Sequence, residues 1–137
     1  MKDDADNEYP DFIQHHVNFA QPISLIAKHL KPVISMYQKN IEMKAVAFVE
    51  KELEKQTIYY VMDIPEIDCA SSESKLDHMG KIKELVLDKE KVGNQRIFYV
   101  SRYHGRAIVR LDVAESILRR NSYGIAFEKL KVEQGGL

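Results

Sequence analysis

Residues 96–113, RIFYVSRYHGRAIVRLDV, carry the pattern that decides the fold. They read as two strands joined by a turn at His104-Gly105. Glycine takes positive φ without steric penalty and histidine tolerates it better than most residues, so a primed hairpin turn fits. Centring the turn there pairs Phe98 with Leu111, Val100 with Val109 and Arg102 with Ala107. One face then holds Phe98, Val100, Ala107, Val109 and Leu111. The other holds Tyr99, Ser101, Tyr103, Arg106, Ile108 and Arg110. That alternation belongs to an antiparallel pair with one face on the core and the other toward solvent.

Just upstream, Lys75–Val92 has helical spacing. Leu76, Met79, Ile82, Leu85 and Val86 form its apolar stripe, opposite a Lys- and Glu-rich side. Gly80 weakens such a helix by about 1 kcal/mol relative to Ala, and Gly93 supplies its C-terminal stop. Sheet face and helix stripe each need a partner surface, so Phe98, Val100, Val109 and Leu111 are expected against Ile82, Leu85 and Val86. Downstream, Asp112 to Glu115 has capping-box spacing and opens a short helix, Val113–Arg120, which residues 121–124 end. Ile125–Val132 reads as a last strand whose apolar phase slips between Phe127 and Leu130.

Thr57–Met62 is β-rich and bounded by Pro65. Lys44–Leu53 reads either as the end of a long helix or as a strand paired with 57–64. Val46, Phe48 and Val49 favour the hairpin. Pro22–Leu30 suits the start of a helix, with Ile23, Ile26, Ala27 and Leu30 on one face, and Pro32 either kinks it or begins another. Residues 11–21 form a short helix or an irregular segment packed through Phe12, Ile13, Val17 and Phe19. Asp3, Asp4, Asp6 and Glu8, closed by Pro10, make residues 1–10 a flexible acidic arm. The fold class is α+β: an antiparallel sheet of about five strands with helices on one face, in the order α-β-β-α-β-β-α-β. Residues 11–137 are expected to form a single domain.

With 45% hydrophobic and 30% charged residues, the chain is globular rather than disordered. Basic and acidic residues number 20 and 21, so net charge supplies no pull toward nucleic acid or an anionic membrane. Cys69 is the sole cysteine, which rules out an internal disulfide and fits a reducing compartment. No signal peptide is evident, and no run approaches the roughly 18 apolar residues of a membrane span. The expectation is a soluble cytoplasmic protein with no membrane association.

Chemistry-bearing motifs are sparse. His15, His16, His29, His78 and His104 lack metal-binding spacing, and Asp63, Glu66 and Asp68 read as a solvated loop. Cys69 follows an acidic stretch that blunts a nucleophile. No glycine-rich phosphate loop or nucleophile elbow occurs. No cofactor, metal or catalytic residue is assigned, and the chain reads as a non-enzymatic protein. Tyr99, Tyr103, Arg106 and Arg110, flanked by Arg96 and Arg102, interleave aromatics and cations on one hairpin face. Such a face packs Tyr on Arg across strands, anchors a protein partner, or stacks bases and holds phosphates. Phe12, Ile13 and Val17 add an apolar N-terminal stripe suited to a protein partner or a homo-oligomer. The favoured expectation is a small protein-binding module, such as an adaptor, chaperone or inhibitor. The alternative is a nucleic-acid-binding regulator using the Tyr/Arg face.

The chain closes on Gly135-Gly136-Leu137. From residue 44 onward the pattern β, β, α, β, β, β is similar to that of the ubiquitin-like β-grasp family, whose precursors end in Gly-Gly and a removable tail. That resemblance implies a conjugated modifier as a third reading. It rests on element order and on Gly135 and Gly136, and it leaves the first 43 residues unaccounted for.

Overall fold

The computed structural model describes residues 10, 12–15, 23–52, 54–103, 106–120, 125 and 127–133. The acidic arm at 1–9, Val17, the His104-Gly105 turn, residues 121–124 and the Gly-Gly tail lie outside the described residues.

The first half builds a four-stranded antiparallel sheet. Its strands are β1 (Phe12–His15), β2 (Ile23–Ala27), β3 (Met43–Glu50) and β4 (Lys55–Met62), in the order β1-β2-β4-β3. The hairpin expected at 44–64 is present, with β3 and β4 paired without a break from Met43–Met62 to Glu50–Lys55. Residues 23–27, read as helix, are instead a strand held between β1 and β4. Both neighbours draw on its backbone, and Ser24, Leu25 and Ile26 are buried in succession. An isolated helix could not bury three adjacent side chains from one stripe, and pairing on both sides overrides the helical spacing. A 3₁₀ turn (Lys28–Leu30) leads into α1 (Lys31–Tyr37). Pro32 sits in its first turn, where a missing N–H is harmless, so it begins the helix rather than kinking one.

The second half is made of short strands: β5 (Glu66–Ile67), β6 (Lys75–Leu76), β7 (Ile82–Glu84) and β8 (Val86–Asp88), then α2 (Lys89–Val92), β9 (Ile97–Val100), β10 (Ile108–Val109), α3 (Leu111–Leu118) and β11 (Lys131–Glu133). The helix expected at 75–92 is absent. Asp77 explains why. Its carboxylate accepts the N–H of Met79 at 2.8 Å and of Lys81 at 3.0 Å, and Gly80 takes φ +80°. Together they close a turn between β6 and β7 instead of continuing a helix. Only the end of the segment is helical, with Asp88 capping the N–H groups of Glu90 and Lys91 and Gly93 ending it at φ +60°. The β-grasp order loses its central helix by the same observation.

β9 organises the interior. It lies between β10, antiparallel, and β5, parallel. All four of its residues are buried. Ile97 and Tyr99 join a cluster with Ile26, Leu30, Val33, Ile34, Met62, Val113 and Ile117. Phe98 and Val100 join another with Cys69, Ile82, Leu85, Leu87 and Ile108. The alternation expected of 97–100 is therefore real, but both faces are covered. The register is not the expected one. Phe98 pairs with Ile108 in place of Leu111, and Val109 pairs with Ile97. An odd slip exchanges the faces of the second strand. Ile108 consequently joins Phe98 and Val100 in the second cluster, and Val109 packs against the first. Leu111, expected to be buried, is 70% exposed at the start of α3. The cause is the long connection at 101–107, where Arg102 adopts φ +64° and Tyr103 N–H returns to Val100 O. Phe98, Val100, Ile82 and Leu85 do pack together, as expected, although the last two come from strand and loop.

α3 begins two residues earlier than expected. Asp112 lies inside its first turn rather than at the cap, where it accepts Val113 N–H at 2.9 Å. The predicted strand at 125–132 shrinks to β11, parallel to β8. The molecule is α+β, but its strands form separate small sheets instead of one sheet of five with helices on one side. Among the described residues no helix is long and apolar enough to cross a membrane.

Candidate functional site

The Tyr/Arg face read from the sequence does not assemble. Tyr99 is 5% exposed, and its phenol is hydrogen-bonded to Ser24 Oγ inside the first cluster. Burial pushes that phenol upward in pKa, and the bond with Ser24 opposes the shift. Tyr103 packs partly against the second cluster. Arg106 is paired with Glu128. Arg110 grips Asp112 through both carboxylate oxygens, at 2.9 and 2.6 Å, which lowers the pKa of Asp112 and raises that of Arg110. Arg102 lies 4.0 Å from Asp68. Stacking rings are thus withdrawn, and these three cations each face a carboxylate. In the N-terminal stripe, Phe12 and Ile13 lie on β1 and are partly buried, with Phe12 against the first cluster.

Cys69 is fully buried, and burial, reinforced by Asp68, pushes its thiol up to about 11. Among the described residues no group of three or more His, Cys, Asp or Glu is placed to hold a metal ion.

What the surface offers instead is the outer edge of β3. This strand is eight residues long and terminal in its sheet, with no described strand beyond it. Asp63 N–H donates to Glu42 O at 2.9 Å, one step past the Met43–Met62 pair. Hydrogen-bonded pairs alternate along an antiparallel ladder. Lys44, Val46, Phe48 and Glu50 therefore turn their backbone groups to β4. Met43, Ala45, Ala47 and Val49 turn theirs outward, toward the edge.

The side chains there are apolar as well. Phe48 is 46% and Val49 66% exposed. Phe48 meets Tyr59 edge-on, with ring centroids 5.5 Å apart, which fixes its position on the hairpin. Within β4, β2 pairs with Tyr59–Met62 alone, so the outer half of the hairpin, Lys55–Ile58 with Ala47–Glu50, projects past it. No family model, curated protein or solved structure matches the chain significantly.

The sequence placed a strand here but not its edge. One signal was present. Val46-Ala47-Phe48-Val49 is apolar at successive positions, whereas a strand solvated on one face alternates. The run supplies apolar side chains to both faces of a strand that, among the described residues, has a neighbouring strand on one side only. Strand order, which makes that run an edge, depends on contacts far apart in the chain.

Proposed function

We propose that this protein is a small protein-binding module that captures a partner by strand addition along the outer edge of β3. The observation that carries the reading is that outward row of backbone groups at Met43, Ala45, Ala47 and Val49, flanked by exposed Phe48 and Val49. Extended segments bind such edges through main-chain hydrogen bonds, and alternate side chains supply selectivity. Native sheets blunt long edges with proline, bulges or charge. β3 has no proline and no bulge, and its two charges stand near its ends.

The test is photo-crosslinking in the cell that makes the protein. A photoreactive residue replaces Val49 in the full-length chain, and a control places it at exposed Met79. Val49 is expected to give discrete protein adducts that Met79 does not, and Ala47→Pro should remove them. Proline at an outward position deletes the edge donor while leaving the ladder to β4 intact. Equal adducts from both sites, indifferent to Ala47→Pro, would sink the reading.

A further inference from the structure

We infer that the partner at this edge is a second copy of the chain, paired antiparallel through β3, with the two-fold axis passing between the two Ala47 residues. This rests on the strand-addition reading above and adds the identity and register of what binds. The four-stranded sheets of the two copies would then join edge to edge.

Hydrogen-bond parity and charge select the register. Outward groups must meet outward groups, which confines an antiparallel pairing to registers that differ by two positions. Placing the axis at Ala47 sets Ala47 opposite itself and Ala45 opposite Val49, all of them outward residues. On the other face it sets Val46 opposite Phe48, and Lys44 opposite Glu50. Two-fold symmetry forms that ion pair twice, once at each end of the shared ladder. Sliding one way brings Glu42 opposite Glu50 and Lys44 opposite Phe48. Sliding the other way brings Glu50 opposite Val46 and sets Lys44 against Glu52, beyond the strand end. Only the central register overlaps the whole apolar run Ala45–Val49 with itself and pairs both charges of β3. Opposite charges directly across an antiparallel pair favour it, and like charges there oppose it. The contact is isologous, so it closes at two copies. A small residue at the axis lets the backbones approach without a side-chain clash.

The experiment measures mass against concentration for the purified full-length protein, by sedimentation equilibrium. The expected result is a monomer–dimer equilibrium. Lys44→Glu alone and Glu50→Lys alone should each shift it to monomer by placing like charges opposite, and the double exchange Lys44→Glu/Glu50→Lys should restore it. Ala47→Cys reads the register directly. A hydrogen-bonded antiparallel pair holds its Cα atoms about 5.5 Å apart, within disulfide reach, so mild oxidation should link two copies. The native thiol, Cys69, is buried and does not compete. A protein that stays monomeric at every concentration overturns the inference, as does a dimer indifferent to both single charge reversals. Either result, combined with β3-dependent crosslinks to a different protein, would leave strand addition standing and remove the second copy as its occupant.

Discussion

Gln38 follows α1 directly and does for β9 what a neighbouring strand would do. Its Nε2 donates to Ile97 O at 3.0 Å, and its Oε1 accepts the N–H groups of Arg96 and Ile97 at 2.9 Å each. One buried amide thus satisfies three backbone groups at the start of the most enclosed strand. Gln38→Ala should lower stability by about 1–3 kcal/mol, the usual penalty of leaving buried groups unpaired, readable from urea unfolding midpoints. A change of a few tenths would mean water replaces the amide. Cys69 offers a second test. Its thiol is pushed up to about 11 by burial, from the 9.0 of a free thiol. The native state therefore holds the proton more tightly than the unfolded chain, so the contribution to stability is complete below pH 9 and fades as pH rises toward 11. The parent should lose stability relative to Cys69→Ala between those limits, and the comparison cancels whatever the two proteins have in common. An unchanging difference would show that the thiol is not sealed in.

At the scale of elements, the turn at Gly80 separates the structure from the sequence reading by the sign of one substitution. In a helix, Gly80→Ala would stabilise by about 1 kcal/mol. At φ +80°, a region hostile to a Cβ, the same change should destabilise by about 1–2 kcal/mol, although no atom lies within 4 Å of the added methyl. Thermal melts of the pair decide it. The spacing of Leu76, Met79, Ile82, Leu85 and Val86 looked helical because several short strands and a turn imitate a period near 3.6 by accident. The asparagine-like turn chemistry of Asp77 with Gly80 was written in the chain but outweighed by that count. β3, β4 and β9 were legible because their β-branched and aromatic runs are dense. The connection 101–107 was not, since a non-glycine residue at positive φ, here Arg102, leaves no mark in composition. Its length set the register of β10. The Tyr/Arg face failed for the same reason, once a strand taken as half-exposed proved to be covered on both sides. The β3 edge was invisible for a different one: strand order is a tertiary fact.

At the scale of the whole molecule, the two apolar clusters meet along β9 and its short neighbour β10. The first gathers α1, α3 and the four-stranded sheet, and the second gathers residues 69–87 with Ile108. Adjacent residues of one four-residue strand point into opposite clusters, so neither cluster can disperse while β9 stays fully buried. The expectation is one cooperative transition in which a defect on either face weakens both. Ile97→Ala, facing the first cluster, should cost about 2–5 kcal/mol, and Phe98→Ala, facing the second, about 3–5 kcal/mol. The informative measurement places a local probe in the cluster that was not mutated. Cys69 belongs to the second cluster, and its reaction with a thiol reagent across a denaturant series reports when that cluster opens. In Ile97→Ala the midpoint for thiol exposure should fall together with the midpoint for loss of far-ultraviolet circular dichroism. Coincident transitions by independent probes are the mark of a two-state unit. If Ile97→Ala lowers the dichroism midpoint and leaves Cys69 protected to the parent's denaturant concentration, the clusters unfold separately. β9 would then be a seam between two cooperative units, and residues 11–137 would not fold as one.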